Sequence, residues 1–164
     1  MLMERICLFP GTFDPVTLGH TDIIDRALPL FDKVVIGIGR NVNKQPMFSE
    51  QVRLQWLHGI YRDNPKVDAV VYEGLTVDCC REAGARYILR GIRYVNDFEY
   101  EKAIADMNRS LAENIETIFL TCLPQFTSVA STLVRDVLRN GGDVSAFLPD
   151  AVNEHIRKNP ANGK

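Results

Sequence analysis

The feature that most constrains this chain is a set of short segments apolar at nearly every position, each separated from the next by a longer stretch of helical period. Val34-Val35-Ile36-Gly37-Ile38 is the clearest of them. A strand covered on one face alternates apolar and polar residues; one that is apolar throughout must be covered on both, the habit of parallel sheets. Residues 5–10, 33–39, 67–72, 86–89 and 116–121 read as such strands. Between them lie helical patterns. The first carries the stripe Ile23, Ile24, Ala27, Leu28 and Phe31, which Pro29 should kink or shorten. The others cover residues 49–62, 76–83, 97–111, 131–140 and 149–158. Ser49 before Glu50, and Asn96 with Glu99 three residues on, have the spacing of N-terminal caps, while Gly84 and Gly141-Gly142 mark helix ends. Strand–helix alternation of this kind predicts an α/β fold, a single doubly wound five-stranded parallel sheet. The expected organisation is one domain over residues 1–158 with a frayed polar tail at 159–164.

Composition narrows the function. With 164 residues, 46% of them apolar and 24% charged, the chain can bury a core without disulfides or a structural metal. Its net charge of −2 lacks the positive excess of a nucleic-acid module. No apolar run approaches the ~20 residues of a membrane span. Met1-Leu2-Met3-Glu4-Arg5 leads straight into a strand-like segment, without the order of a signal peptide, so a cytoplasmic location is expected. Cys7, Cys79, Cys80 and Cys122 form no CxxC pair and read as buried free thiols.

Ligands of an open parallel sheet bind at the carboxyl ends of its strands, where the winding reverses, so the loops there carry the chemistry. After the first strand comes Gly11-Thr12-Phe13-Asp14-Pro15-Val16-Thr17-Leu18-Gly19-His20. Gly11 permits close backbone approach, Asp14-Pro15 marks a turn, and Thr17 as N-cap puts His20 in the first helical turn, where exposed N–H groups favour anions. His20 taken alone reads equally as a helix-capping histidine. The loop matches neither GxxxxGK[ST] nor GxGxxG. Lys44 follows the second strand, and a solvated loop lysine is the plain alternative for it. Arg90-Gly91-Ile92-Arg93 follows the fourth strand and resembles an anion clamp. Phe126-Thr127-Ser128-Val129-Ala130-Ser131-Thr132 follows the fifth and opens a helix carrying Arg135, a second helix N-terminus suited to phosphate. Lys44, Arg90, Arg93 and Arg135 are thus expected to gather at one sheet edge. No Cys/His/Asp cluster has metal-ligand spacing, and no Ser or Cys has a nucleophile's setting. Many phosphate-binding groups without a nucleophile imply direct in-line transfer.

These motifs resemble a known group. Thr17-Leu18-Gly19-His20 resembles the T/HxGH motif of the nucleotidylyltransferase superfamily, and Ser131-Thr132-Leu133-Val134-Arg135 the tail of its ISSTxxR motif. Pro10-Gly11-Thr12-Phe13-Asp14-Pro15, Arg90-Gly91-Ile92-Arg93 and Asp97-Phe98-Glu99-Tyr100-Glu101 narrow the likeness to the bacterial phosphopantetheine adenylyltransferases. The resemblance implies a Rossmann-like nucleotidylyltransferase fold. It also implies that ATP and 4′-phosphopantetheine give dephospho-coenzyme A and pyrophosphate, with Mg²⁺ held mainly by the ATP phosphates. It assigns Thr12 a place between the two reacting phosphates and His20 the charge growing at the α-phosphate. Arg93 joins Thr12, His20 and Lys44 as a catalytic residue. Lys44 and Arg90 hold the phosphopantetheine end, Thr76 lies along its arm, and Thr12 also contacts it. Thr12, Phe13, His20, Gly91, Ile92, Arg93, Glu101 and Phe126, Thr127, Ser128, Val129, Ala130, Ser131, Thr132 line the ATP site. The resemblance further implies a homohexamer and inhibition by coenzyme A.

Two positions depart from the pattern: Ala130 replaces the usual first serine of the second motif, and Phe126 stands where some members have tryptophan. The rivals are a related nicotinate-mononucleotide or glycerol-phosphate nucleotidylyltransferase and a non-enzymatic ATP sensor. The second arginine and the Asp97–Glu101 string argue against the former, and the histidine and lysine placed for chemistry against the latter. Tyr100, Ile104, Met107 and Leu111 share one helical stripe, which is either core or an assembly face.

Overall fold

The computed structural model describes residues 4–41 and 45–159. Strands β1 (Ile6–Gly11), β2 (Lys33–Gly39), β3 (Val67–Tyr72), β4 (Tyr87–Ile92) and β5 (Glu116–Thr121) alternate with helices α1 (Leu18–Ala27), α2 (Glu50–Ile60), α3 (Thr76–Glu82) and α4 (Val95–Leu111). Helices α5 (Ser131–Arg139) and α6 (Asp150–Lys158) follow, each preceded by a short 3₁₀ turn. All five strands are parallel in the order β3-β2-β1-β4-β5, so the winding reverses between β1 and β4. This is the expected doubly wound Rossmann-like fold.

The period of two along each strand divides the core. Cys7, Phe9, Val34, Ile36, Ile38 and Leu89 face one layer with Ile24 of α1, Trp56 and Leu57 of α2, Val134 of α5 and Val152 of α6. Leu8, Val35 and Ile88 face the other with Val77, Cys79 and Cys80 of α3. Both faces are covered, which is why the middle of these strands is apolar on both sides. Cys7, Cys79, Cys80 and Cys122 are all free, and burial pushes the Cys7 thiol up to about 12.

Two local expectations change, and an alternative left open by the sequence is decided. Strand β4 runs to Ile92 rather than stopping at Leu89, because Arg90, Gly91 and Ile92 pair with Phe119, Leu120 and Thr121 of β5. Arg90 is therefore a strand residue, and the loop begins at Arg93. Helix α4 starts at Val95 rather than Asp97. Its N-terminus is closed by Asp97, whose Oδ2 accepts from the N–H groups of Arg93 (3.1 Å) and Tyr94 (3.4 Å), and not by the Asn96/Glu99 pair. Finally, the stripe on α4 is not core: Tyr100, Met107 and Leu111 are exposed, Ile104 is half-buried, and of the whole helix only Glu101 is buried. Pro29 acts as expected: α1 ends at Ala27, whose carbonyl accepts from Leu30 and Phe31. Ser49 caps α2 by accepting from Val52 N–H at 3.3 Å. Asn159 closes α6 through its N–H to His155 O at 2.9 Å, and the rest of the expected tail, 160–164, lies outside the described residues. Among the described residues no helix is long and apolar enough to cross a membrane.

One glycine in mid-strand follows from packing. A Cβ on Gly37 would lie 3.0 Å from the Tyr72 ring and 3.1 Å from Leu8 Cδ1. Gly37→Ala is expected to lower unfolding free energy by about 1–3 kcal/mol, the range for overpacking a close-packed core. Urea denaturation measures it, and an unchanged midpoint contradicts this account.

Candidate active site

The carboxyl ends of β1 and β4 stand side by side at the reversal, and the loop from Thr12 to Thr17 leaves β1 there. The end of β1 and this loop are held from three directions. Arg90 of β4 donates to Pro10 O, Arg53 of α2 to Thr12 O at 2.6 Å, and Arg135 of α5 to Asp14 O at 2.6 Å. Ser131 Oγ donates to Pro15 O at 2.8 Å. The Asp14 carboxylate, 3% exposed, accepts from the N–H groups of Met47 (2.8 Å) and Phe48 (2.9 Å) and so ties this loop to the one before α2. Within the loop Phe13 has φ +51° and tucks its buried ring under Gly11, where a Cβ would lie only 3.0 Å from it.

Helix α1 begins at its N-cap Thr17, three residues before His20. The Thr17 N–H donates to His20 Nδ1 at 3.0 Å, and Thr17 Oγ1 lies 3.0 Å from the same nitrogen. A backbone N–H only donates, so Nδ1 is an unprotonated acceptor and the neutral ring carries its hydrogen on Nε2. The His20 ring packs on Phe13 with centroids 4.9 Å apart. Burial first, then the charges of Arg93 and Arg90, push its pKa down to about 4. The capping reading and the chemical one are therefore the same: the cap consumes Nδ1 and leaves a neutral Nε2–H donor in the cavity wall.

The cation cluster differs from expectation. Arg90 is paired with Glu101 of α4 through two contacts of 2.7 and 2.5 Å, and Arg93 with Asp97 at 3.2 Å. Arg135 is spent on the loop carbonyl. A half-buried guanidinium left without acceptors is expensive, so the fold supplies them. Lys44 lies outside the described residues.

Three adjoining cavities open over this edge. One of about 490 Å³ is lined by Thr12, Phe13, His20, Gly91, Arg93, Glu101, Val129, Ala130, Ser131 and Thr132; Ile92, Phe126, Thr127 and Ser128 are not in its wall. Phe126 instead belongs to the 3₁₀ turn 124–126 and packs toward Gly19. A second, about 580 Å³, brings Thr76 and Arg90 together beside Tyr72, whose hydroxyl lies 3.0 Å from Thr76 Oγ1. The third, about 740 Å³, lies between α1, α2 and α5 and includes His20, Thr132, Arg53 and Arg135. Thr12 lines all three. Ala130 is the N-cap of α5 and supplies no side-chain acceptor, so the N–H groups of that first turn are left for an anion.

Sequence reasoning missed Arg53 and Arg40. Arg53 shares the buried stripe of α2 with Trp56 and Leu57, and a cation on an apolar stripe was the available signal. Arg40 joins Glu50 (2.6 Å) to Glu73 (3.3 Å) across the second cavity's mouth, a pairing between distant segments that no local pattern marks.

The Cytidylyltransferase-like family profile matches residues 8–137. The chain is 51% identical to the phosphopantetheine adenylyltransferase of Flavobacterium psychrophilum, over 90% of this chain and 97% of that one. It is 44% identical to that of Leptospira biflexa, over 95% and 98%. A solved structure of a putative nicotinate-nucleotide adenylyltransferase from Vibrio parahaemolyticus superposes with a TM-score of 0.71 at 21% identity, covering 95% of this chain and 93% of that one, a likeness of fold.

The histidine's state is directly measurable. Its folded pKa of about 4 lies below the ordinary 6.5, so between those values the unfolded chain binds the proton and the folded one does not. The contribution of His20 to stability is complete above pH 6.5 and is lost as pH falls toward 4. Nitrogen-15 NMR is expected to show the Nε2–H tautomer from pH 5 to 8 with a midpoint near 4; a midpoint near 6.5 contradicts the buried neutral ring.

Proposed function

The chain belongs to the phosphopantetheine adenylyltransferase family of nucleotidyltransferase enzymes, and from that premise we propose that it transfers the adenylyl group of ATP to 4′-phosphopantetheine, giving dephospho-coenzyme A and pyrophosphate in the penultimate step of coenzyme A biosynthesis. The observation that carries the reading is Thr12, common to the walls of three cavities, beside a histidine whose one free function is a neutral donor.

An oxygen of the acceptor phosphate attacks the α-phosphorus of ATP; the bond from that phosphorus to the bridging oxygen breaks, and pyrophosphate leaves with its electron pair. The attacking oxygen is already an anion, so no general base is needed. What is needed is placement of two polyanions and stabilisation of the charge growing on the α-phosphate oxygens. His20 Nε2–H donates to that oxygen. Thr12 stands between the two phosphates. Thr76 and Arg90, in the second cavity, receive the phosphopantetheine end, with Glu101 holding the Arg90 guanidinium in a fixed plane. The 490 Å³ cavity receives the nucleotide, with Arg93 and the N-terminus of α5 toward its phosphates. Lys44 takes its role on the acceptor phosphate from the resemblance alone. Every carboxylate around the cavities (Asp14, Glu50, Glu73, Asp97, Glu101) is engaged by an N–H group or a guanidinium. Mg²⁺ brought in on the ATP oxygens would neutralise polyphosphate charge there without drawing on these carboxylates.

Coenzyme A, which contains the product, is the expected feedback inhibitor of the same cavities. Tyr100 (70% exposed), Met107 (67%) and Leu111 (49%) leave an apolar face on α4 that a homohexamer would cover. A monomer in sedimentation at micromolar concentration contradicts that assembly.

Purified protein is expected to release pyrophosphate from MgATP only when 4′-phosphopantetheine is present; equal turnover with nicotinate mononucleotide overturns the reading. His20→Ala should lower kcat by ~10²–10³, about 3–4 kcal/mol, with the KM for ATP within several-fold. Lys44→Ala should raise the acceptor's KM and lower kcat together, and Lys44→Arg should restore only part, because a planar guanidinium replaces a compact charge.

A further inference from the structure

Arg53 is a buried cation that the mechanism above does not use. It is 4% exposed, and among the described residues it makes no ion pair. The acidic groups whose charge reaches it, Asp14 and Glu50, are bonded elsewhere, to the N–H groups of Met47 and Phe48 and to Arg40. Its own bonds go to carbonyls: Nη1 to Thr12 O at 2.6 Å and Nε to Ser49 O at 3.4 Å. Burying a guanidinium without a carboxylate costs stability, and an apolar residue would fill the stripe of α2 more cheaply. Stability alone therefore does not account for Arg53.

Thr12 supplies the reason. It is exposed where the three cavities meet, and its hydroxyl has no hydrogen-bond partner among the described residues. A side chain that no hydrogen bond holds takes its aim from its own backbone. The bond from Arg53 is the one described hydrogen bond at Thr12. Helix α2, through its N-cap carbonyl at Ser49 and its buried Arg53, thus fixes the residue that stands between the reacting phosphates.

We propose that Arg53 is a positioning residue for adenylyl transfer, acting through Thr12 without touching substrate. This rests on the reaction proposed above. The test is a double-mutant cycle of Arg53→Lys with Thr12→Ala, with melting temperatures recorded for each variant. R53K keeps the charge but offers one compact ammonium in place of a fork that bonds two carbonyls. In the wild-type background R53K should lower kcat by about tenfold or more, since small misplacements beside reacting atoms cost up to ~10². Both KM values should stay within about threefold. In the T12A background R53K should change kcat by less than about twofold, because the group it places is gone. Equal losses in both backgrounds, a rise in KM with kcat unchanged, or no loss at all overturns the proposal. R53Q, shorter and neutral, replaces R53K if that variant does not fold, with the same expected pattern. A measurement independent of the reaction separates this inference from the proposed function: without any ligand, the NMR order parameter of the Thr12 methyl should fall in the folded variant, and an unchanged value overturns the inference even if pyrophosphate release is as expected.

Discussion

The hold of arginine side chains on backbone carbonyls at the end of β1 and in the loop beyond it is the interaction on which the rest of the site depends. Pro10, Thr12 and Asp14, at alternate positions, each give their carbonyl to a guanidinium, from β4, α2 and α5 respectively. A loop at the mouth of a cavity ordinarily satisfies its carbonyls with water and moves accordingly. Here the carbonyls are taken by three elements that are themselves packed on the sheet, so the loop inherits their rigidity. The catalytic geometry is a property of the whole layer rather than of the loop's own sequence.

That arrangement also settles how an acidic chain presents a surface to polyanions. Cations are abundant at the sheet edge, yet the four nearest the loop are engaged: Arg90 by Glu101, Arg93 by Asp97, Arg135 and Arg53 by carbonyls. Pairing lowers the net field but fixes each guanidinium in place, and fixed donors need no reorganisation when charge develops. His20 completes the picture from the other side. Its cap bond to Thr17 and its enclosure hold it neutral, so it offers a hydrogen bond without adding a charge.

Much of this was legible in the chain. Segments apolar at nearly every position, Val34 to Ile38 most clearly, announced strands covered on both faces, and β2, β3 and β5 lie at the bounds read from the sequence. Thr17 and His20 at capping distance, and the hydroxyl-rich start of α5, located two of the three helix N-termini around the site. What the sequence misplaced or left open shares one cause. The end of β4, the start of α4 and the exposure of its stripe all depend on what a neighbouring segment offers: a β5 backbone to pair with, an Asp97 carboxylate to reach back, a face that no other part of the chain covers.

What the sequence determined by itself is therefore what periodicity and local chemistry encode: the order of strands and helices, the doubly wound class, and the motifs at the strand ends. Only the tertiary structure decided the partners. That Arg90 faces Glu101, that Asp14 holds the N–H groups of Met47 and Phe48, and that Arg53 grips Thr12 across 41 residues of chain are choices among many possible acceptors. The physical reason is the cost of burying charge: a guanidinium carried into the fold must find an acceptor there, and which one it finds depends on how the helices pack, not on spacing along the chain.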